Sequence, residues 1–598
     1  KKENKIFTQI LLQNFFKALL ILIISFLNSC TCEEPIPGPP DEYGMKLSQY
    51  GITWYFDKEY QYGQFANGDY YVVADTDGIV KIIYIDPTSS SRAKRQMNGS
   101  QLNPVPMHLN AYGTPLHGYD SLLAGNGYTS SLNVGLDVTS DNPLALSAEC
   151  SLVSTISIER FGRPQLSDAA VLTILSTVPP DGSFRPPYCG SEKTIQFNLS
   201  DIDYSILPAS LSQSNISHKL SAADVERDCA ILKRCWIDHF MHHGEGTSHT
   251  SPKNNMPNYG REYSILIGRS SLLACMSDAE LTSNFGITRK DILIGLIQIG
   301  IDTYEVLKNG GCWPNNGGQN QGRKWPIMFA GALLGGTDPT ANPGDIAYDM
   351  LHVMDFNFIP QHFSGGVNQM TTPFAEDQTV FYVSQYDYDA THLAYWSDQS
   401  HTPYIGADIR ADEAIPYETT DLGLPEWGIE RMTKPSSSNK EWLTSYRCCC
   451  TATGYAGIAL VVRILETTAS TMTLWGNNAF FDYLDRYMAI TSRGSYDRCA
   501  SSFTEDMWDK YRADYGDGYI GHVYINGTTV ITNCVNPITG YDGINGTKDS
   551  GTTDVNAGFA INNSIFSVNS GFIGTRYEQV DAYHYRIYGN CSLYGITK

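Results

Sequence analysis

The chain reads as a multidomain α and β protein with an N-terminal β-sandwich, a central (α/α) toroid of antiparallel helix pairs and a β-rich C-terminal portion. Three observations predict this. From about Tyr43 to Asp203, short alternating runs are broken by Gly, Asn, Asp and Pro. From Ser221 to about residue 490 the apolar residues recur at helical spacing. After about Asp517 the chain returns to Gly, Asn, Thr and short β runs, ending in HYRIYGNCSLYGI. The boundaries that follow are 43–215, 216–515 and 516–598.

The elements follow in chain order. Residues 1–29 combine a basic start with an apolar run from Ala18 to Leu27, too short for a first reading as a membrane span, and predict an export signal. Leu27-Asn28-Ser29-Cys30 resembles a bacterial lipobox, which would make Cys30 the lipidated residue. The Pro-rich, acidic stretch 30–42 cannot bury a core and reads as a tether. These features predict an exported chain, lipid-anchored at a bacterial cell surface or periplasm, or else secreted. Any membrane contact would be through the lipid alone.

The strands are expected in GITWYF, GDYYVVA, GIVKIIYI, SLVSTISI, AVLTILS and KTIQFNL. Ser221 caps a predicted helix of about 20 residues running to the His239-His242-His243 cluster. Further helices are expected over about 261–278, 288–308, 325–335, 343–353, 451–466 and 478–490. Long Gly/Pro/Asn/aromatic loops join them, and helix pairs with elaborate loops at one end suggest a toroid. The aromatic-rich segment 355–450 is long for a structureless loop in a compact domain, and such loops are usually functional.

Composition narrows the function. A net charge of −22 excludes a nucleic-acid partner, which would need Lys and Arg patches to release counterions. The 42% of hydrophobic residues makes the chain globular. Fourteen Cys in an exported chain suggest disulfides, with Cys229 and Cys235, or Cys534 and Cys591, as candidates. Cys448, Cys449 and Cys450 read as small buried residues entering a helix.

PNYGREY and CWPNNGGQNQGRKWPI place amides, guanidinium groups and aromatics at helix ends. That is the composition of a sugar-binding cleft: rings stack on pyranose faces, amides bond hydroxyls, and Arg offers a fork to a uronate carboxylate. Asn258, Tyr259, Arg261 and Glu262 enter a helix behind Pro257, where free N–H groups favour anions. Trp313, Asn315, Asn316, Gln319, Asn320, Arg323, Lys324 and Trp325 form the densest polar-aromatic cluster, between glycine pairs that let a ligand approach the backbone. GGQNQGRK lacks the GxxxxGK[ST] pattern of a phosphate cradle.

His239 and His243, four apart, would share a helical face, and His249 follows in the next loop. A metal pair, a helix C-terminal cap and a cleft base all remain open readings of this cluster. No HExxH or DxDxDG pattern is present, and neither a metal nor any other cofactor is expected. In DYDYD and LPEWGIE, Asp387, Tyr388, Asp389 and His392 lie close in sequence, as do Glu426 and Trp427. A carboxylate against an indole suits general acid work.

GGCWPNNGG with GRKWPI, LPEWGIE, and YRCCCTATGYAGIALVVRIL beginning at Tyr446, followed by NNAFFDYLDRYM, resemble a group of exported bacterial proteins. The helical part of that group looks like the (α/α) toroid of polysaccharide lyases of the alginate, chondroitin and heparinase type. The resemblance covers roughly residues 220–490. It implies cleavage of a uronic-acid polysaccharide by β-elimination, with Asn258 and Arg261 neutralising the C5 carboxylate, His243 or His249 as base, and Tyr259 as acid. Arg323 would hold a neighbouring uronate. Trp313, Asn315, Asn316, Gln319, Asn320, Lys324, Trp325, Tyr388, His392, Glu426, Trp427 and Tyr446 would line the substrate path. The adjacent Asn-His pair of some toroid lyases is missing, and the β domain comes first, as in several toroid glycosidases. Two alternatives follow: a glycoside hydrolase drawing carboxylates from Glu262, Asp387, Asp389 and Glu426, and a non-catalytic glycan-binding surface lipoprotein.

Overall fold

Alternating apolar residues give the N-terminal region eight strands: β1 (Glu42–Gln49), β2 (Ile52–Gln64), β3 (Tyr70–Val73), β4 (Ile79–Asp86), β5 (Ser100–Leu102), β6 (Leu144–Ser147), β7 (Cys150–Ser157) and β8 (Leu166–Leu175). The computed structural model describes residues 42–88, 98–107, 116–121, 127–158, 166–239, 251–313, 318–355, 372–385, 422–423, 425–427, 452–488 and 501–515. It also describes the backbone of 519–526, 529–534, 558–561, 564–567, 574–579 and 584–589. Residues Tyr43–Lys598 fall in one unit.

The eight strands form one sheet in the order β5-β7-β8-β3-β2-β4-β6, with β1 added on β2. β3 and β8 are parallel, pairing Tyr70 with Leu172, and β7 and β8 are antiparallel, pairing Cys150 with Ile174. The sheet curls. Trp54 on β2 donates its indole N–H to Ser154 Oγ on β7 at 3.1 Å, although two strands separate them in the sheet order. Short alternating strands are as expected for this region. Which strands pair, and whether they build one curled layer or two, is not encoded in alternation.

KTIQFNL is not a strand. Lys193 turns inward, and its ammonium donates to the carbonyls of Pro187, Cys189 and Gly190 at 2.5, 3.2 and 2.8 Å. Asn198 of this segment makes an isolated bridge to Ser183.

β8 shows how the sheet joins the helices. Ala170, Leu172 and Ile174 belong to the core inside the curl, with Trp54, Phe56, Val72 and Val80. Ala169 and Val171, on the opposite face, belong to the core shared with the helical layer. The segments expected as separate sheet and helix domains therefore share one continuous core.

The helical layer contains α1 (Ala222–Leu232), α2 (Gly260–Ala274), α3 (Asp278–Phe285), α4 (Arg289–Lys308), α5 (Lys324–Gly331), α6 (Ile346–Leu351), α7 (Ala375–Thr379), α8 (Ala452–Ile464), α9 (Glu466–Ala469), α10 (Thr471–Trp475), α11 (Asn478–Met488) and α12 (Ser502–Tyr511). Every residue of α4 from Ile292 to Leu307 is buried, and so is all of α8. Helices buried on all sides belong in a core, and the polar residues α4 brings into it, such as Gln298 and Asp302, are hydrogen-bonded there. α4 packs on α1, α2 and α5, while α8 packs on α2, α11 and α12. Among the described residues no helix is long and apolar enough to cross a membrane.

The first helix is shorter than expected. Its Ser221–Asp224 capping box forms as predicted, but the helix ends at Leu232. Trp236 folds its indole N–H back onto Ile231 O at 2.9 Å, and Asn67 and Asn255 donate to Lys233 O and Cys235 O. Those carbonyls are satisfied outside a helical ladder, so the chain runs on to His239 without one. The apolar period continues past Leu232 because Cys235, Trp236 and Ile237 are buried in the shared core.

α2 and α8 cross at glycines. A Cβ on Gly268 would lie 2.8 Å from Ile458 N and 2.9 Å from Gly457 C. Gly268→Ala is expected to lose stability by about 1–3 kcal/mol, overcoming the helix propensity that Ala adds. Chemical denaturation of the variant checks this, and an unchanged midpoint would remove the close crossing.

Beyond residue 516 the described backbone is β, as expected. It forms β11 (Tyr519–Asn526), β12 (Thr529–Cys534), β13 (Gly558–Ile561), β14 (Ser564–Ser567), β15 (Gly574–Gln579) and β16 (His584–Gly589). These strands make an antiparallel sheet in the order β12-β11-β16-β15 and a β13–β14 hairpin. β9 (Val380–Tyr382) and β10 (Pro425–Trp427) pair with each other.

Candidate functional site

α2 begins at a turn that exposes several of its polar residues. Tyr259 is extended at the N-cap, with φ −140° and ψ 138°, and its side chain makes no cap hydrogen bond. Asn258, Tyr259, Arg261 and Glu262 are half-buried there. Gly260 between them is buried beneath the loop 318–320: a Cβ on it would lie 2.6 Å from Asn320 N and from Gly318 O. The Tyr259 hydroxyl accepts a hydrogen bond from Gly318 N at 3.1 Å. The Arg261 guanidinium sits 5.6 Å from the Tyr259 ring centre, and its Nε donates to Glu262 Oε1 at 3.1 Å. Gln319, half-buried, belongs to the same surface.

Immediately below, the polar-aromatic cluster separates into two kinds of residue. Arg323, Lys324, Trp313, Trp325 and Asn320 are buried. Arg323 donates to both oxygens of Asp238, at 2.8 and 3.1 Å, and lies 3.8 Å from the Tyr263 ring centre. Lys324 donates to Asp377 at 2.7 Å and to the carbonyl of Trp475. Trp325 donates to Ser271 Oγ at 3.0 Å, and Trp313 stacks on Phe374 with centroids 5.9 Å apart. These cations are therefore held in ion pairs by neighbouring elements, and Arg323 is engaged by Asp238 at the position expected to grip a uronate.

Two buried acids lie near α7. Glu376 is wholly buried and accepts the Gly322 N–H through Oε1 at 2.6 Å. Among the described residues its Oε2 has no hydrogen-bond partner. Burial raises its carboxyl to about 7. Glu426 sits on β10 opposite Phe381, with Oε2 3.7 Å from Arg486. Trp427 pairs with Val380 through its backbone, and its side chain is outside the description.

His239 is buried rather than displayed on a helix. Its backbone N–H and Nδ1 lie 3.2 and 3.3 Å from the Tyr188 hydroxyl, and burial depresses the ring to about 3. His239 is not on a helix, since α1 stops at Leu232, and its expected partner His243 lies outside the described residues. Cys229 and Cys235 are both free, buried thiols. Among the described residues no three His, Cys, Asp or Glu are grouped to hold a metal.

Cys30, His243, His249, Asn315, Asn316, Asp387, Tyr388, Asp389, His392 and Tyr446 lie outside the described residues, as does Cys591. The structure thus brings together Asn258, Tyr259, Arg261 and Gln319, sets Arg323, Lys324, Trp313 and Trp325 beneath them, and adds Glu376 and Asp238. Neither of these two acids stands out in sequence. Glu376 reads as an ordinary first-turn helix acid after Phe374, and Asp238 as one more acid in a very acidic chain.

No protein-family model, curated protein or solved structure matches the chain.

Proposed function

We propose that this is an exported carbohydrate-active enzyme that cleaves a uronic-acid-containing polysaccharide by β-elimination at the N-terminal turn of α2. The observation that carries the reading is the grouping of half-buried Asn258, Tyr259 and Arg261 on one helix-start turn, with Gly318 N–H on the Tyr259 hydroxyl. In such a reaction the C5 proton leaves to a base, the C4–O bond breaks, and the leaving oxygen takes a proton. Arg261, Asn258 and the helix dipole would neutralise the C5 carboxylate, which would compete with Glu262 for the guanidinium. Tyr259 would deliver the proton. An N–H donor on its oxygen and a cation beside its ring both stabilise the negative charge that proton transfer leaves there. His243 or His249 would be the base.

A toroid-like arrangement of the helical layer, export, and lipid attachment at Cys30 belong to the same proposal. In support of the toroid are the buried helices α2, α4 and α8, packed successively against one another. Hydrolysis has less support, since among the described residues Glu262 and Glu426 are each seen beside an arginine.

The test incubates the protein with a panel of uronic-acid polysaccharides. The absorbance of unsaturated uronate is followed together with new reducing ends. Rising absorbance is the expected result. Reducing ends without it would replace elimination by hydrolysis, and silence in both would shift the reading to a glycan-binding protein.

A further inference from the structure

We infer that Glu376 is a titratable positioning residue: its buried carboxyl holds the loop Gly318–Gly322 against Tyr259, and charging that carboxyl loosens the loop. The consequence for turnover rests on the elimination reading above; the structural claim does not.

The loop is tied at both ends. Gly318 N donates to the Tyr259 hydroxyl at 3.1 Å, and Gly322 N donates to Glu376 Oε1 at 2.6 Å. Between these ties the backbone passes through left-handed conformations at Asn320 (φ 63°) and Gly322 (φ 85°). A Cβ on Gly322 would lie 2.7 Å from Ser264 Oγ and 2.9 Å from Ser264 Cα, so the loop is pressed onto α2. Gln321 O also accepts from Arg323 Nη1 at 2.8 Å, so releasing Gly322 would loosen, rather than free, the segment that bears Gln319 and touches Tyr259.

The surroundings of Glu376 suit a neutral carboxyl better than a charged one. Charged and titratable groups face it from each neighbouring element: Arg323 and Lys324 at the start of α5, Asp377 on α7, Tyr263 on α2 and Tyr455 on α8. Both cations are already engaged, Arg323 with Asp238 and Lys324 with Asp377. Asp377 adds a like charge, and Oε2 has no partner among the described residues. A carboxylate here would be a buried charge without a dedicated counterion, which favours hydration by opening.

The sign follows from burial. The closed form holds its proton up to about pH 7, whereas an exposed Glu releases it near 4.5. Between those values the open form has lost a proton that the closed form keeps, so closure weakens as pH rises and levels off above about 7.

The experiment is amide hydrogen exchange at Gly318–Gly322 in the full chain, corrected for intrinsic exchange, across pH 5 to 9. Wild-type protection is expected to fall about tenfold per pH unit up to about pH 7 and then level off. Glu376→Gln, which keeps an oxygen acceptor for Gly322 N–H, is expected to give a flat profile. A flat wild-type profile, or the same slope in both proteins, overturns the inference, and the wild-type profile decides alone if the variant does not fold. On an active substrate, kcat should carry an ionisation near pH 7 that Glu376→Gln lacks. A wild-type chain that cleaves no polysaccharide counts against the elimination reading and leaves the exchange comparison to decide this one.

Discussion

Arg185→Ala is expected to destabilise the chain by about 3–5 kcal/mol, because it leaves two buried carboxylates without their cation. Arg185 is fully buried and bridges the sheet to the helical layer. Its Nε donates to Asp69 at 2.7 Å, beside the β2–β3 turn, and its two terminal nitrogens donate to Asp302 on α4 at 3.1 and 2.6 Å. Its peptide N–H and carbonyl exchange hydrogen bonds with the Gln298 side chain, each at 3.0 Å. Asp69 also accepts from Gln49 and Asn67, and Asp302 from Tyr188 N. The hydrogen bonds that surround each carboxylate make its removal from water tolerable only while the guanidinium stands between them. Urea denaturation measures the loss. Adding Asp69→Asn and Asp302→Asn to Arg185→Ala should return part of it, since neutral amides are cheaper to bury than unpaired charges. A single variant within about 1 kcal/mol of wild type would mean that water reaches the carboxylates.

Tyr259→Phe is expected to lower kcat for elimination by about 10²–10⁴-fold, the usual contribution of a positioned general acid. The fold should stay close to wild type, because the hydrogen bond lost from Gly318 N is worth about 1 kcal/mol and the ring is kept. Substrate affinity should change little, since the aromatic ring remains to stack on a sugar. Arg261→Ala should behave differently, raising KM for uronate-bearing substrates through loss of carboxylate recognition. Comparing kcat and KM for the two variants on one polysaccharide checks both roles. Unchanged turnover in Tyr259→Phe would remove Tyr259 as the acid. A collapse with Glu426→Gln instead would point to hydrolysis, the reaction for which a carboxylate was considered there.

Both expectations concern residues whose legibility in the sequence differed for a physical reason. Tyr259 and Arg261 are visible because a Pro257-led helix start is a local signal, and the structure keeps both half-buried at that start. Arg323 and Lys324 are equally visible in GRKWPI, yet each is buried against an acid from a distant segment, Asp238 or Asp377. Long-range pairing of this kind leaves no spacing to read. The same holds for His239, whose place on a helix was inferred from an apolar period that continues after α1 has ended.

The sequence by itself determined the order of β and helical segments and the starts of most helices, including the Ser221 capping box. It also determined the turn that presents Asn258, Tyr259 and Arg261, because periodicity, caps and turn residues act over a few positions. Tertiary structure alone decided that the first eight strands curl into one sheet, that this sheet shares its core with the helices, and that Arg185 joins them. It also decided that Glu376 is buried, with Gly322 of the loop 318–322 donating to one of its oxygens. Strand pairing, burial of charge and displaced proton affinities depend on which distant residues meet, and that information resides in the packing of the whole chain.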